Sequence, residues 1–218
     1  ELCLVGSEMC IRDSCKIRIN HRKILIGLSE ILNLENKLVE LTVVLDKIDK
    51  IGLVKVVDQF IDLGLEESLR PFLIKYLSID GDFDTRLNSL KTLFKSSKVG
   101  LEGVEDLSII NKLVIVDDLN TTKFVLDTSL ARGLSYYTGA IFEVNASDDI
   151  DIGSIAAGGR YDDLTSIFGL NDVSGLGIRF GLDRIFIVMD SMNLFPEFNT
   201  SNTKVLFTNS NSKYTKYI

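Results

Sequence analysis

The sequence contains 218 residues, of which 45% are hydrophobic and 25% are charged, and its formal net charge is −7. This composition is that of a globular protein and not of a disordered one, and the length allows one sizeable core or two modest ones. No apolar run approaches the roughly 18–20 residues of a membrane span, so we expect no membrane partner. The acidic balance argues against a broad basic surface for nucleic acid, although a local patch or another domain could contact RNA.

The few cysteines and the single histidine limit the available chemistry. Cys3, Cys10 and Cys15 have a spacing that matches no zinc site and an odd number that fits no closed disulfide framework, so we expect a reduced, intracellular chain. One histidine excludes sites that need several histidine ligands for a metal. His21 follows Asn20, the predicted N-cap of a helix, and we expect His21 to have a structural or surface role.

From about residue 21 to residue 122, apolar residues recur with the spacing of amphipathic helices. The stripes expected to be buried are Ile24, Leu25, Leu28, Ile31 and Leu32; Leu38, Leu41, Val44, Leu45 and Ile48; Leu87, Leu90, Leu93 and Phe94; and Leu101, Val104, Leu107 and Ile110. Gly52, Gly64, Gly81 and Gly100 fall between stripes, where helix ends or turns are expected, and Pro71 stands near the start of a short segment. The pattern predicts an all-helical unit of about five to seven short helices.

From Lys123 onward the pattern changes to short runs separated by Gly, Asn and Asp, which predict strands at 124–126, 140–144, 154–157 and 176–180. A helix is expected after Gly181, and its predicted buried face contains Leu182, Ile185, Phe186 and Met189. The run 204–208 predicts the first strand of a further domain. Both patterns together predict an α+β fold, in which a mainly antiparallel sheet packs beside the helical unit.

Three glycine-rich clusters in this second part are candidates for chemistry. In the first, residues 131–139, Arg132 stands four positions before Tyr136, which is followed by Tyr137. Such a group suits a pocket for a polar small molecule, with donors on the walls and backbone that can approach the ligand. A strand–turn–strand corner with tyrosines on both faces of a sheet has the same spacing, so spacing alone leaves both interpretations open.

The second cluster, residues 157–163, contains the pair Gly158 and Gly159. If the pair ends a strand, it forms a tight turn before an acidic helix start. It could equally expose backbone N–H groups and Arg160 to a ligand. The residues of this cluster alone do not decide between the two.

The third cluster, residues 175–185, has the pattern Gly-x-Gly-x-x-x-Gly. Its glycines lie inside a predicted strand without a surrounding βαβ unit, which excludes a dinucleotide-binding fingerprint. Arg184 would lie in the first turn of a helix, where the helix dipole disfavours a cation. A bound phosphate would account for this position, because the helix N-terminus and the guanidinium attract the same anion. A salt bridge to Asp183 or another carboxylate is the alternative.

In order and spacing, the three clusters together resemble the histidyl-tRNA synthetase family. Residues 130–139 look like its first histidine-specific motif, 157–162 like its second, and 177–184 like motif 3 of class II synthetases. Residues 19–25 resemble the start of that family's helical insertion, and the resemblance extends over about 16–196. It implies a class II synthetase-like, mainly antiparallel sheet with flanking helices, plus an all-helical insertion that contacts the tRNA acceptor end.

The resemblance also implies a division of the chain. Residues 16–20 would end a strand of the catalytic core, 21–122 would be the helical insertion, 123–198 the C-terminal half of the core, and 199–218 the start of the anticodon-binding domain. Residues 1–15 are expected to be non-native or unassigned, since they show no clear period and lack the basic start of a signal peptide. No counterpart of the family's motifs 1 and 2 occurs, so we expect a fragment that is inactive alone.

For the activity, the resemblance implies a cytoplasmic, homodimeric histidine–tRNA ligase. It would use ATP with Mg²⁺ to convert histidine to histidyl-adenylate and pyrophosphate, and would then transfer the histidyl group to tRNA(His). No metal-binding side chain of the protein is identified. A catalytically inactive paralogue, such as a regulatory subunit of histidine biosynthesis or a sensor domain of a kinase, is the main alternative. A generic nucleotide-binding module is another, but it would leave the tyrosine pair unexplained.

The match to the motifs implies roles for the two arginines. Arg132 would contact the α-phosphate, stabilise the charge that develops there during adenylation, and also border the bound histidine. Arg184 would hold the γ-phosphate of ATP. Ser135 stands where the family usually has Asp or Asn, a departure that affects how the neighbouring tyrosines are oriented.

The histidine pocket is implied by the same match. Tyr136, Tyr137 and Tyr161 would line it, and their presence together with that of Arg132 favours the enzyme over an inactive paralogue. Gly158 and Gly159 would let the backbone close around the substrate. A pocket that reads histidine by hydrogen bonds needs no editing domain, because analogues without its polar atoms leave buried groups unpaired.

Overall fold

The computed structural model describes residues 15–116, 123–131, 137–146, 150, 152–162, 166, 167, 169, 171 and 173–195. The strands in these parts of the chain are β1 (Lys16–His21), β2 (Lys123–Leu126), β3 (Ala140–Asn145), β4 (Ser154–Tyr161) and β5 (Gly175–Phe180). They form one five-stranded sheet in the order β2-β1-β3-β4-β5. β1 and β2 are parallel and the other neighbours are antiparallel, which confirms the predicted α+β class with its mainly antiparallel sheet.

Seven α-helices accompany the sheet in the described residues: α1 (Arg22–Ile31), α2 (Leu38–Leu45), α3 (Ile48–Asp62), α4 (Arg70–Leu77), α5 (Phe83–Leu93), α6 (Lys98–Val116) and α7 (Leu182–Ser191). The first six follow β1 and α7 follows β5, and Pro71 lies in the first turn of α4 as expected. None of these helices is long and apolar enough to cross a membrane. Because β1 and β2 are adjacent and parallel, the helical region connects two neighbouring strands.

The helical region contains one continuous hydrophobic core. Every residue of the stripes predicted from the sequence belongs to this core or packs against it, so that prediction is confirmed. The largest side chains that are fully buried include Tyr76, Phe60, Phe94, Leu28, Leu41 and Leu90. Full burial of such a side chain stabilises the folded state by about 1.5–3 kcal/mol, so the core is the main source of stability in this region.

A close crossing of α1 and α6 depends on two glycines. A Cβ atom built on Gly27 would lie 2.7 Å from the Cα atom of Gly100, and one built on Gly100 would lie 2.3 Å from the ring of Phe94. Gly100 belongs to the first turn of α6, so the prediction that it marks a helix end is wrong. The absence of a side chain at Gly100 allows the backbones of α1 and α6 to approach each other closely. The other three glycines predicted to mark turns have a positive φ.

The start of α1 lies one residue later than predicted. His21, and not Asn20, is the N-cap, and its Nδ1 accepts a hydrogen bond of 3.2 Å from the N–H of Lys23. The imidazole is buried, and its Nε2 lies 3.3 Å from the carboxylate of Asp106. Burial lowers the pKa of His21 to about 4 even though Asp106 opposes this shift. At neutral pH the imidazole is therefore uncharged and caps the helix.

Buried hydrogen bonds attach the segment that follows β2 to β1 and to the helical region. The side-chain amide of Asn20 donates to the carbonyl oxygens of Thr128, at 3.3 Å, and Leu130, at 2.9 Å. The hydroxyl of Tyr76 on α4 donates to the same Thr128 carbonyl at 2.8 Å. These bonds satisfy backbone groups in the interior and fix the direction in which the chain enters the first glycine-rich cluster.

An ion pair supports the same segment. Arg18 on β1 contacts the carboxylate of Asp127, and it also lies 3.1 Å from Asp49. Burial would raise the pKa of Asp127, but the Arg18 guanidinium and the hydrogen bonds from Ser129 together lower it below its usual value. Asp127 is therefore charged at neutral pH and holds β1 to the end of β2.

α7 packs against β4 over a second, smaller core. The buried residues of this core are Cys15, Ala146, Ile155 and Val188. The buried face predicted for α7 is only partly right: Met189 is buried and Ile185 packs against the small core, but Leu182 is 77% exposed and Phe186 58% exposed. The apolar face of the helix is wider than the surface that the described elements offer it.

The described part of the chain includes one of the cysteines, Cys15, which is free and buried. Burial raises its pKa to about 11, so the thiol is protonated at neutral pH and behaves as a small apolar side chain. Cys3 and Cys10 lie outside the described residues, as does the strand predicted at 204–208.

Candidate active site

One face of β4 and β5 carries residues of the second and third glycine-rich clusters. Gly159 and Tyr161 are two positions apart on β4 and so share a face, and the β4–β5 register pairs them with Gly177 and Gly175. A Cβ atom on Gly175 would lie 2.0 Å from the ring of Tyr161, and one on Gly177 would lie 3.2 Å from it. The Tyr161 ring therefore lies over β5 on this side of the sheet, which we call the tyrosine face.

Tyr137, from the first cluster, lies on the tyrosine face as well. A Cβ atom built on Gly159 would lie 2.8 Å from the Tyr137 ring, so the ring packs directly on the backbone of β4. The structure thus brings Tyr137 and Tyr161 to the same side of the sheet, although 24 positions separate them. A shared pocket requires this arrangement, and a placement on opposite faces would have excluded it.

The glycine pair lies inside β4, which runs on to Tyr161, so the interpretation of the pair as a tight turn at the end of a strand does not apply. The two positions serve opposite faces. Gly159 accommodates Tyr137, whereas a Cβ atom on Gly158 would lie 2.5 Å from the ring of Phe142 on the other side. The glycines are needed because aromatic rings pack on both sides of one strand, and not because the chain turns there.

Hydrogen bonds hold Tyr137 near the end of β4. The N–H of Thr138 donates to the carbonyl of Arg160 at 3.0 Å, and the Thr138 hydroxyl donates to the carboxylate of Asp162 at 2.6 Å. The hydrogen bond from Thr138 lowers the pKa of Asp162, so this carboxylate is charged at neutral pH. The guanidinium of Arg160 bonds to Asp162 and to Ser174. Arg160 stands between Gly159 and Tyr161 on β4, so its side chain points away from the tyrosine face.

A cavity of about 510 Å³ lies between the first part of β4 and the start of α7. Its lining residues include Ser154, Ala157, Arg179, Gly181, Asp183 and Arg184. Ala157 and Arg179 are register partners, and each lies two positions from a glycine of the tyrosine face, so the cavity opens on that face. Ala157 on the cavity wall and Gly159 beneath the Tyr137 ring are two residues apart, which is about 7 Å along β4.

Arg184 lies in the first turn of α7, as predicted, and lines this cavity. Its Nη1 donates to the carbonyl oxygen of Ser154 at 2.6 Å. Among the described residues it forms no ion pair with Asp183 or another carboxylate, which was the alternative explanation for its position. The single hydrogen bond orients the guanidinium at the cavity wall and leaves most of its five N–H donors for a ligand.

Arg179 is a second cation on the cavity wall, and the motif match did not select it. The available signal was the alternation of side chains along a strand. Counting in steps of two from Gly175 through Gly177 reaches Arg179 on the same face.

Arg132, Ser135 and Tyr136 lie outside the described residues, and the chain is described up to Ala131 and again from Tyr137. Of the site residues predicted from the sequence, Tyr137, Gly159 and Tyr161 therefore form the tyrosine face. Arg184 lines the adjoining cavity, and Gly158 faces the opposite side of β4.

Within the described residues, no group of three or more His, Cys, Asp or Glu side chains is placed to hold a metal ion. Asp183 is the acidic residue that lines the cavity. A Mg²⁺ ion at this position would be held mainly by oxygen atoms of a phosphate ligand and by water, as is usual for Mg²⁺–nucleotide complexes.

A comparison with known families agrees with the motifs. The family model described as Histidyl-tRNA synthetase matches residues 2–185, which is most of the chain. The chain belongs to the histidyl-tRNA synthetase family. The match begins at residue 2, whereas the resemblance in the motifs begins at about residue 16.

Curated relatives named Histidine--tRNA ligase are similar over nearly the whole chain. The relative from Christiangramia forsetii is 46% identical over 201 residues, which cover 92% of this chain and 44% of the relative. The relative from Porphyromonas gingivalis is 45% identical over 211 residues, which cover 96% of this chain and 46% of the relative. The chain spans less than half the length of these relatives.

Solved structures of the family share the fold. The crystal structure of histidyl-tRNA synthetase from Nostoc sp. PCC 7120 has a TM-score of 0.78 and 28% sequence identity, over 97% of this chain and 50% of that one. A histidine–tRNA ligase subunit from Alicyclobacillus acidocaldarius has a TM-score of 0.66 at 19% identity, which shows the fold alone. The class II synthetase-like fold expected from the motifs is therefore confirmed.

Proposed function

We propose that the protein to which these residues belong is a histidine–tRNA ligase, which activates histidine with ATP and transfers the histidyl group to tRNA(His). The observation that carries the proposal is a shared face: Tyr137 and Tyr161 lie beside the cavity lined by Arg184, in a chain of this family. Because the chain spans less than half the length of its relatives, the activity is proposed for the whole protein.

In the first step, the carboxylate of histidine attacks the α-phosphorus of ATP, and pyrophosphate leaves as histidyl-adenylate forms. Arg132 would stabilise the charge that develops on the α-phosphate, a role assigned from the motif because its side chain lies outside the described residues. Arg184 would hold the γ-phosphate and keep the leaving group aligned. Its anchoring on Ser154 supports this role, because a guanidinium that is already oriented loses little freedom on binding.

Histidine would bind on the tyrosine face. Tyr136, Tyr137 and Tyr161 would line this pocket, and Gly158 and Gly159 would allow close packing around it. A Cβ atom built on Gly159 would lie only 2.8 Å from the Tyr137 ring, so the ring has almost no room to move toward the sheet. This supports the proposal that Tyr137 forms a rigid wall of the histidine pocket. Hydrogen bonds from such a wall would discriminate against analogues that lack the imidazole nitrogens.

In the second step, a terminal ribose hydroxyl of tRNA(His) attacks the activated carbonyl, and AMP leaves. We assign residues 21–122 as the helical insertion toward the tRNA acceptor end, 16–20 and 123–198 as parts of the catalytic core, and 199–218 as the start of the anticodon-binding domain. Residues 1–15 stay unassigned. The whole protein would be a cytoplasmic homodimer, and Mg²⁺ would enter with ATP as part of the substrate.

An inactive paralogue is the less favoured function. Three relatives that are 42–46% identical to this chain are named as ligases. The two tyrosines of the histidine motifs that the structure describes also lie together on one face, which a regulatory protein would not require.

The test is histidine-dependent exchange of pyrophosphate into ATP by the whole protein, followed by aminoacylation of tRNA(His). Arg132→Ala should slow adenylate formation by about 10²–10³-fold and leave histidine binding less affected, because its charge acts mainly on the transition state. Arg132→Lys should rescue only part of the rate, since lysine lacks the planar fork. Unchanged adenylation with weaker histidine binding would show that Arg132 is a binding residue instead.

The 218 residues purified alone provide a second arm of this test. They should show no histidine-dependent exchange, because the motifs 1 and 2 that the family uses have no counterpart in them. Near-normal exchange by these residues alone would contradict the expectation that the fragment is inactive without motifs 1 and 2.

A further inference from the structure

The cavity beside the tyrosine face has two arginines on its wall, and the proposed function uses only one of them. Arg184 comes from the first turn of α7 and is anchored on Ser154. Arg179 comes from β5, where Ala157 is its register partner. The two guanidiniums therefore approach the cavity from different elements of the fold.

Arg179 contributes little to the fold itself. Its side chain is exposed, and in the part of the chain that the structure describes it forms no ion pair and no side-chain hydrogen bond. Arg18, Arg86 and Arg160 differ, because each of them contacts a carboxylate. A guanidinium on a cavity wall without a carboxylate partner is available to an anionic ligand.

We infer that Arg179 is a second polyphosphate-binding residue, which contacts the β- and γ-phosphates of ATP from the strand side of the cavity while Arg184 contacts them from the helix side. The inference rests on the proposed function and adds a binding residue to its site. It also extends to free pyrophosphate, which carries the same phosphate groups.

Charge and geometry both support two arginines at this position. A triphosphate has more anionic oxygens than one guanidinium can pair, and a second planar donor can pair others from another direction. The N-terminus of α7 adds the positive end of its dipole on the same side as Arg184. Because the chain as a whole carries a net charge of −7, local cations are needed to attract an anion to this surface.

The experiment uses the whole protein and compares Arg179→Gln with the unmodified sequence in the exchange assay. Loss of a charge-assisted hydrogen bond should raise the KM for ATP and for pyrophosphate by about tenfold or more. The KM for histidine should change by less than about twofold, because the side chain would contact only phosphate. Arg179→Lys should lie between the two, since it keeps the charge without the fork.

Arg70→Gln is the matched control. It removes the same charge from a half-buried arginine whose partners are Asp58 and Glu67 in the helical region, and it should leave the KM for ATP unchanged. An unchanged KM for ATP in Arg179→Gln would overturn the inference. A parallel rise of the KM for ATP and for histidine, together with a lower Tm, would also overturn it by showing a structural role.

Failure of the proposed function gives a different result. If the unmodified protein shows no histidine-dependent exchange, the ligase proposal fails, and calorimetric titration with inorganic tripolyphosphate then decides the role of Arg179. Binding that is about tenfold weaker in Arg179→Gln would support the inference without the ligase activity. Equal binding by both proteins, or no binding by either, would overturn it.

Discussion

The helical region between β1 and β2 buries its apolar stripes, whereas the surface formed by β5 and α7 leaves large apolar side chains in solvent. In the helical region Phe94 and Leu28 have no exposed surface. The β5–α7 surface consists of Leu176, Ile178, Phe180, Leu182 and Phe186, which are 53–77% exposed. Among the described residues, each helical stripe packs into a core, whereas on this surface Phe186 contacts the ring of Phe195 and the side chains still stay largely in solvent.

The contrast teaches what an amphipathic pattern does and does not predict. The period of apolar residues identifies the face that would gain from burial, because removing that face from water is favourable. It carries no information about which part of the protein covers the face. The same reasoning was therefore right for Leu25 and Leu28 on α1 and wrong for Leu182 and Phe186 on α7.

A matched pair of substitutions gives the largest expected difference between the two regions. Phe94→Ala should lower the free energy of unfolding by about 3–5 kcal/mol, because it leaves a cavity in a closed core. Phe186→Ala should change it by about 0.5 kcal/mol or less, since the side chain is 58% exposed. Urea unfolding of the 218-residue chain at neutral pH measures both values. Equal losses would mean that the β5–α7 surface is covered in solution.

The start of the helical region, where β1 meets α1, should give the chain a specific pH dependence through His21. Its pKa is about 4 in the folded state and near 6.5 when unfolded, so the unfolded state binds more protons between these values. The stabilisation is complete above about pH 6.5 and is lost as the pH falls, with about 3 kcal/mol lost by pH 4. His21→Asn keeps a capping side chain but does not titrate. An equally steep decline in this variant would exclude His21 as its source.

A smaller effect is expected where backbones cross in the helical region. Gly27→Ala should cost about 1–3 kcal/mol, because the new Cβ atom would lie 2.7 Å from the Cα atom of Gly100 and backbone cannot easily move away. Gly177→Ala in the sheet should cost less, since its nearest neighbour is the ring of Tyr161 at 3.2 Å. Unfolding curves of both variants test the order. A larger loss in Gly177→Ala would show that the sheet is the more rigid region.

The smallest expected effect concerns the position of Tyr161 and is read in binding. Gly175→Ala would place a Cβ atom 2.0 Å from the Tyr161 ring, which is partly exposed and can rotate away. In the whole protein, the KM for histidine should rise roughly fivefold, equivalent to about 1 kcal/mol. If the change acts through the ring, adding Gly175→Ala to Tyr161→Ala should cause no further rise. Additive effects would mean that Gly175 acts on the site by another route.

Much of the secondary structure was predictable, because it depends on residues close in sequence. The stripes of α1 and α6 follow the 3.6-residue period, and Pro71 lies in the first turn of α4 as expected. The end of β4 was not predictable in the same way. Gly158 and Gly159 look like a turn in isolation, yet they continue the strand because Phe142 and Tyr137 pack on its two faces.

The candidate site was predictable only as far as its motifs reach. Tyr137, Tyr161 and Arg184 were selected from three separate clusters, and the structure places the tyrosines on one face beside the cavity of Arg184. Arg179 lies within the segment that resembles motif 3, but it was missed because the resemblance assigns no role to that position. Strand alternation could have selected it once the register of β5 was known.

By itself, the sequence determined the kinds of elements, their order and the family, since periodicity and motif spacing are properties of neighbouring residues. Only the tertiary structure decided that β1 lies between β2 and β3, because strand pairing joins positions on either side of the whole helical region. It likewise decided which glycines make room for rings and which apolar faces stay exposed. The packing of rings on glycines and the exposure of apolar faces both depend on which elements are neighbours in space. The spacing of residues along the chain does not specify those neighbours.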